Sequence, residues 1–138
     1  MASFVTNEGA NGLANGTITW ASDTIKARLV ASSVTPNKDD TTMTPYTVIG
    51  TDQTLASKTR TKNTTDDRID FSSAAITWAA VAAGSTVGYV VIFKFVTNDA
   101  GSTPIAVIDV TDVPTNGSDL TYTPPTVGSA AALFSLQE

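Results

Sequence analysis

Apolar and polar positions alternate over short spans along most of the chain. The longest apolar run is Val87-Gly88-Tyr89-Val90-Val91-Ile92-Phe93-Lys94-Phe95. β-Branched and aromatic residues of this kind fit a pleated, buried surface better than a helix. At a period of two, Val87, Tyr89, Val91, Phe93 and Phe95 share one face, and Gly88, Val90, Ile92 and Lys94 share the other. Both faces are apolar up to Lys94, which predicts the central strand of a sheet covered on both sides.

Shorter elements follow from the same rule. Thr17 to Trp20 is predicted as a strand with Ile18 and Trp20 inward. In Thr24 to Val30, Ile25, Ala27 and Leu29 face the core while Lys26 and Arg28 face out. Ser32 to Pro45 reads as a loop, and Tyr46 to Ile49 as a short strand ended by Gly50. Arg68 to Phe71 and Ala75 to Trp78 place Ile69, Phe71, Ile76 and Trp78 inward. The 98–102 segment is a turn, and 105–110 returns as the hairpin partner of the central strand. Leu120 to Thr123 is another short strand, Pro124-Pro125 forces an extended segment, and 131–136 is a final strand or docking tail. Turn signals recur every 8–12 residues. The expected fold is therefore all-β: a single-domain antiparallel β-sandwich, jelly-roll-like, over residues 17–138. Residues 1–16, rich in Asn-Gly turn signals, are expected to be an N-terminal arm with some local structure.

Composition narrows the chemistry. The chain has 138 residues, with 15% charged and 41% hydrophobic residues. Much of its polarity comes from Thr, Ser and Asn, which lose less on desolvation than Lys or Glu and so suit a surface that touches protein. All eight basic residues lie at or before Lys94, where eight acidic residues balance them. The remainder carries five acidic residues and no basic one, for a net charge of −5. Electrostatic binding to nucleic acid is not expected. There is no Cys and no His, which removes thiolate chemistry, the usual zinc sites and the commonest general base. No enzymatic role, cofactor, metal or membrane span is expected. Asp109, Asp112, Asn116 and Asp119 offer hard oxygen ligands, but their spacing fits no EF-hand loop and suits hairpin turns. Tyr46 and Tyr122 remain as candidates for stacking on sugars, since Trp20, Trp78 and Tyr89 fall at inward positions. The clearest candidate contact surface is Lys58-Thr59-Arg60-Thr61-Lys62, where three cations share one strand face. Charge on an edge strand also serves to block sheet-to-sheet pairing.

The motif order, from Gly16-Thr17-Ile18-Thr19-Trp20-Ala21-Ser22-Asp23-Thr24-Ile25-Lys26-Ala27-Arg28-Leu29-Val30 through Asp67-Arg68-Ile69-Asp70-Phe71 and Ile76-Thr77-Trp78 to Gly88-Tyr89-Val90-Val91-Ile92-Phe93-Lys94 and Pro104-Ile105-Ala106-Val107-Ile108-Asp109-Val110, resembles small virion proteins of tailed bacteriophages. Some of these decorate or cement the head. The resemblance implies a β-sandwich on the capsid exterior, made in the bacterial cytoplasm, with the major capsid protein as partner and a symmetric dimer or trimer as the assembly. It carries over no site residues. The contact regions expected from the residues are the N-terminal arm at Phe4 and Val5, the stripe Lys58, Arg60 and Lys62, and the tail at Phe134 and Leu136. A tail or fibre component, or a carbohydrate-binding β-sandwich module, are the alternatives.

Overall fold

The computed structural model describes residues 2–137 and is an all-β fold with one short helix. In chain order the elements are β1 (Phe4–Val5), α1 (Asn7–Asn15), β2 (Ile25–Ala31), β3 (Ile49–Thr54), β4 (Thr59–Asn63), β5 (Arg68–Ser72) and β6 (Ile76–Trp78). There follow β7 (Thr86–Val96), β8 (Asn98–Pro114), β9 (Leu120–Tyr122), β10 (Thr126–Val127), β11 (Ala130–Ala131) and β12 (Phe134–Gln137). Among the described residues every strand pairing is antiparallel. The main sheet has the order β1-β8-β7-β2-β3, a three-stranded sheet has the order β12-β5-β4, and β6-β9 and β10-β11 are two-stranded.

The long apolar run is β7, third of the five strands, and both its faces are buried as its composition predicts. Its two faces are not the ones simple alternation assigns. The register shifts between Val87 and Tyr89, so Val87 joins Val90 and Ile92 in one core cluster while Tyr89, Val91 and Phe93 enter the other. Gly88 sits at that irregularity because the backbone of Ser32 crosses there. A Cβ on it would stand 2.5 Å from Ser32 Cα.

The larger core cluster lies between the main sheet and the smaller sheets. Ile25, Ala27, Leu29, Val90, Ile92 and Ile108 meet Trp20, Phe71, Ile76, Trp78 and Phe134 there. Phe71 and Phe134 stack at 4.8 Å, and Trp20 stands edge-on to both at 5.4 Å. Such pairs add about 0.5–1.5 kcal/mol each beyond burial. The opposite face of the main sheet is covered by the 32–48 loop rather than by strands. Met43 and Tyr46 have no exposed surface and pack on Val30, Tyr89, Val91, Phe93 and Val107. Tyr46 is therefore a core residue in a turn, with its N–H donating to Met43 O, and the strand expected at 46–49 begins only at Ile49.

This covering also corrects Arg28, which was expected to face solvent. It is 4% exposed and hydrogen-bonds Asp52, Asp99 and the carbonyl of Tyr46 at 2.7–3.0 Å. The strand expected at 17–20 is likewise irregular. The Asp23 carboxylate and the Thr19 carbonyl close it into a turn, yet Ile18 and Trp20 are buried as expected.

Residues 2–16 dock instead of extending. Phe4 and Val5 pair with Val107 and Ala106 at the edge of the main sheet. Thr6 then caps α1, its Oγ1 accepting from Gly9 N at 2.9 Å. Two Gly and three Asn make a poor helix by propensity, so packing must hold it. A Cβ at Gly9 would lie 2.6 Å from Ile105 Cα, so glycine there admits close approach to β8 and not a turn. The helix ends at Gly16, which is left-handed.

Candidate functional site

Two cations of the predicted stripe and the apolar tail converge on one flank, built on the three-stranded sheet. Pairing across it aligns Arg60, Phe71 and Phe134 in one row and Lys62, Ile69 and Leu136 in the next. Residues in register point the same way, so this face runs from cations at the β4 edge to apolar side chains further in. Phe71 and Phe134 turn under into the core. Ile69, expected inward, is 39% exposed, and Leu136 is half-buried. A cleft of about 640 Å³ opens over them, walled by Leu13 of α1, Trp20, Lys58 and Arg60. A second depression, about 760 Å³, continues past Ile69 and Leu136 to Lys62 and Arg68.

The three cations are not equivalent. Lys58 lies just before β4 and donates to the Asp23 carbonyl. Burial lowers its pKa, with Asp23 partly opposing that shift. It pins the 17–24 turn, as does Lys94, which bonds Thr17 O at 2.7 Å and Asp23 at 3.2 Å. Arg60 and Lys62 are exposed and make no ion pair or hydrogen bond among the described residues. Among the described residues β4 pairs with β5 alone, and Thr59 to Lys62 are exposed on both faces.

Away from the β4 edge, the reverse face of the same sheet is closed. Asn63, Asp70 and Ser135 point there beneath the β10-β11 hairpin. Asp70 accepts from Arg68 Nε and Ser135 Oγ at 2.6 Å and from Asn63 Nδ2 at 2.9 Å. Burial alone would raise the Asp70 pKa, but these three donors outweigh it and hold the carboxyl below its ordinary range. Asp66 accepts from Ser129 N and Oγ, and its pKa is lowered first by those bonds. Arg68 also donates to the carbonyl of Val127.

The other expected contact residues lie elsewhere. Phe4 and Val5 border a shallow depression with Leu133 and Phe134, and all four contribute to core packing. The aromatic candidates for sugar stacking are drawn inward. Tyr46 is fully buried with its hydroxyl on Asp40 at 2.6 Å, and Tyr122 is half-buried in β9. Asp119 and Asn116 accept backbone N–H groups of Ala80 and Ser118, as turn residues do. Among the described residues no helix is long and apolar enough to cross a membrane. Sequence reasoning missed Ile69 as a surface residue. The signal was present in Thr59 and Thr61, which leave β4 with no apolar face to bury beside it.

The chain matches no family model, no curated protein and no solved structure.

Proposed function

We propose that this chain is a structural, protein-docking component of a tailed-bacteriophage virion, a capsid decoration or cement protein that binds the major capsid protein lattice as a symmetric dimer or trimer. The single observation that carries the docking role is the flank just described. Arg60 and Lys62, without partners among the described residues, lie side by side with exposed Ile69, half-buried Leu136 and the β4 edge, which no other described strand covers. Apolar area rimmed by charge is the composition of a protein contact. The motif order supplies the virion setting, and a Cys-free, Thr-rich chain suits assembly in a bacterial cytoplasm. A protein that binds only the assembled shell stabilises it by mass action, by about 2.7 kcal/mol per site at a hundredfold excess over Kd.

The test is light scattering of the purified protein, followed by sedimentation with capsids that lack it. A dimer or trimer should co-sediment with capsids. Arg60→Ser/Lys62→Ser should weaken that binding most at low salt, where exposed charges are least screened. The same variant should unfold within about 0.5 kcal/mol of the parent, since neither side chain is buried or paired. A monomer that ignores capsids sinks the virion reading, and unchanged occupancy by the variant removes the stripe from the contact.

A further inference from the structure

Resting on the docking role proposed above, we infer that the β4 edge binds its partner by strand addition, and that the incoming strand carries acidic residues at alternate positions. Three observations converge. First, among the described residues β4 has a neighbour on one side only, so its outward N–H and C=O groups form a template for a further strand. Second, that strand would form a fourth column beside Arg60-Phe71-Phe134 and Lys62-Ile69-Leu136. Its residues opposite Arg60 and Lys62 would stand about 5 Å from them and on the same face. Neither cation has a partner among the described residues, so acids two apart would supply both. The intervening residue would lie beside Thr61 on a face with no charge in β4, where a small β-branched side chain fits. Third, the apolar floor at Ile69 and Leu136 lies directly behind the cations. A partner whose body extends back over that floor removes water from the ion pairs and strengthens them.

A second copy of this chain is the poorer occupant. In-register antiparallel pairing of β4 with itself about Thr61 sets Arg60 against Lys62 twice, and parallel pairing sets each cation against its own kind. A slip of one residue relieves this but turns the copy's apolar face to the other side. The edge cations therefore act as a filter. They repel another β4 and admit an acidic strand.

The probe is a short fluorescent peptide with Asp at two positions separated by one Thr, and Thr or Val elsewhere, titrated against the full chain by anisotropy. Saturable binding is expected, weakened about tenfold by Arg60→Ser/Lys62→Ser and again by raising the salt. The outward-facing backbone amides of β4, those of Arg60 and Lys62, should gain protection from hydrogen exchange in the complex. The same peptide with every N–H from the first Asp to the second methylated should bind far more weakly, because whichever set of these donors faces β4 is then lost. Arg60→Glu/Lys62→Glu should reverse the preference towards a peptide with Lys in place of Asp, a gain that misfolding cannot produce. The assignment is overturned by absence of binding, by equal binding of the N-methylated peptide, or by a single-stranded oligonucleotide binding as tightly as the peptide. Peptide binding without capsid binding would leave strand addition standing and remove the virion setting. Capsid binding without peptide binding would do the reverse.

Discussion

Two strands of this protein carry the same local pattern of a cation, a small residue and a cation, yet the structure uses them in opposite ways. In β2 the triplet is Lys26-Ala27-Arg28. Lys26 Nζ sits 3.9 Å from the centre of the Phe95 ring, and the Arg28 guanidinium is 5.1 Å from that of Phe93. All the ionic capacity of Arg28 is consumed by Asp52 and Asp99. In β4 the triplet is Arg60-Thr61-Lys62, and both cations reach solvent without a partner among the described residues. The difference lies in what covers each strand. The 32–48 loop and Asp99 near the start of β8 close over β2, so a charge there must be neutralised. No strand among the described residues pairs with the outer edge of β4. A cation enclosed by its own chain serves stability, and one left open is available to another molecule.

The comparison can be broken most severely where the two sheets meet. Phe134→Ala removes the ring that stacks on Phe71 and contacts Trp20, and should cost about 4 kcal/mol in urea or thermal unfolding. A loss below about 1 kcal/mol would mean that β12 is a loosely attached tail. Next comes Arg28→Ala, which strands Asp52 and Asp99 beside a carbonyl that loses its donor, and should cost about 3 kcal/mol. Arg28→Lys should recover only part, since an ammonium cannot bridge two carboxylates in bidentate fashion. Full recovery would show that charge alone holds the clamp.

The smallest effect concerns the closed face of the outer sheet. The Asp70 carboxyl is held below its ordinary range by Ser135, Asn63 and Arg68 against the opposing effect of burial. A depressed folded-state pKa contributes stability above the unfolded value, about 4, and that contribution is lost as pH falls through the folded value. Stability should therefore be level from pH 7 to about 5 and decline below about 4. Asp70→Asn should cost about 1–2 kcal/mol at neutral pH and make the acid decline shallower. An unchanged acid limb in the variant would assign the decline to other carboxylates, with Asp99 beside Arg28 the first to examine.

Much of the fold was legible because the signals were local. β7, its hairpin with β8, and the burial of Ile25, Ala27, Leu29, Phe71, Ile76 and Trp78 all follow from period-two alternation. The errors fall where a distant segment supplied the partner. The Asn and Gly residues of 7–16 read as turns, but Ile105 offers a surface that only a glycine-bearing helix can approach. Tyr46 and Arg28 read as exposed because the loop that buries them has no periodicity of its own.

By itself, then, the sequence determined an all-β chain with one strand covered on both faces and a cluster of cations on a segment having no apolar face. These are consequences of side-chain type at a spacing of two, and no other part of the chain is needed to produce them. Only the tertiary structure decided which cations are neutralised, which glycines are contacts rather than turns, and that Leu136 comes to lie beside Lys62 by way of Ile69. Those outcomes depend on which surfaces meet across tens of residues, and that is set by closing a whole core at once.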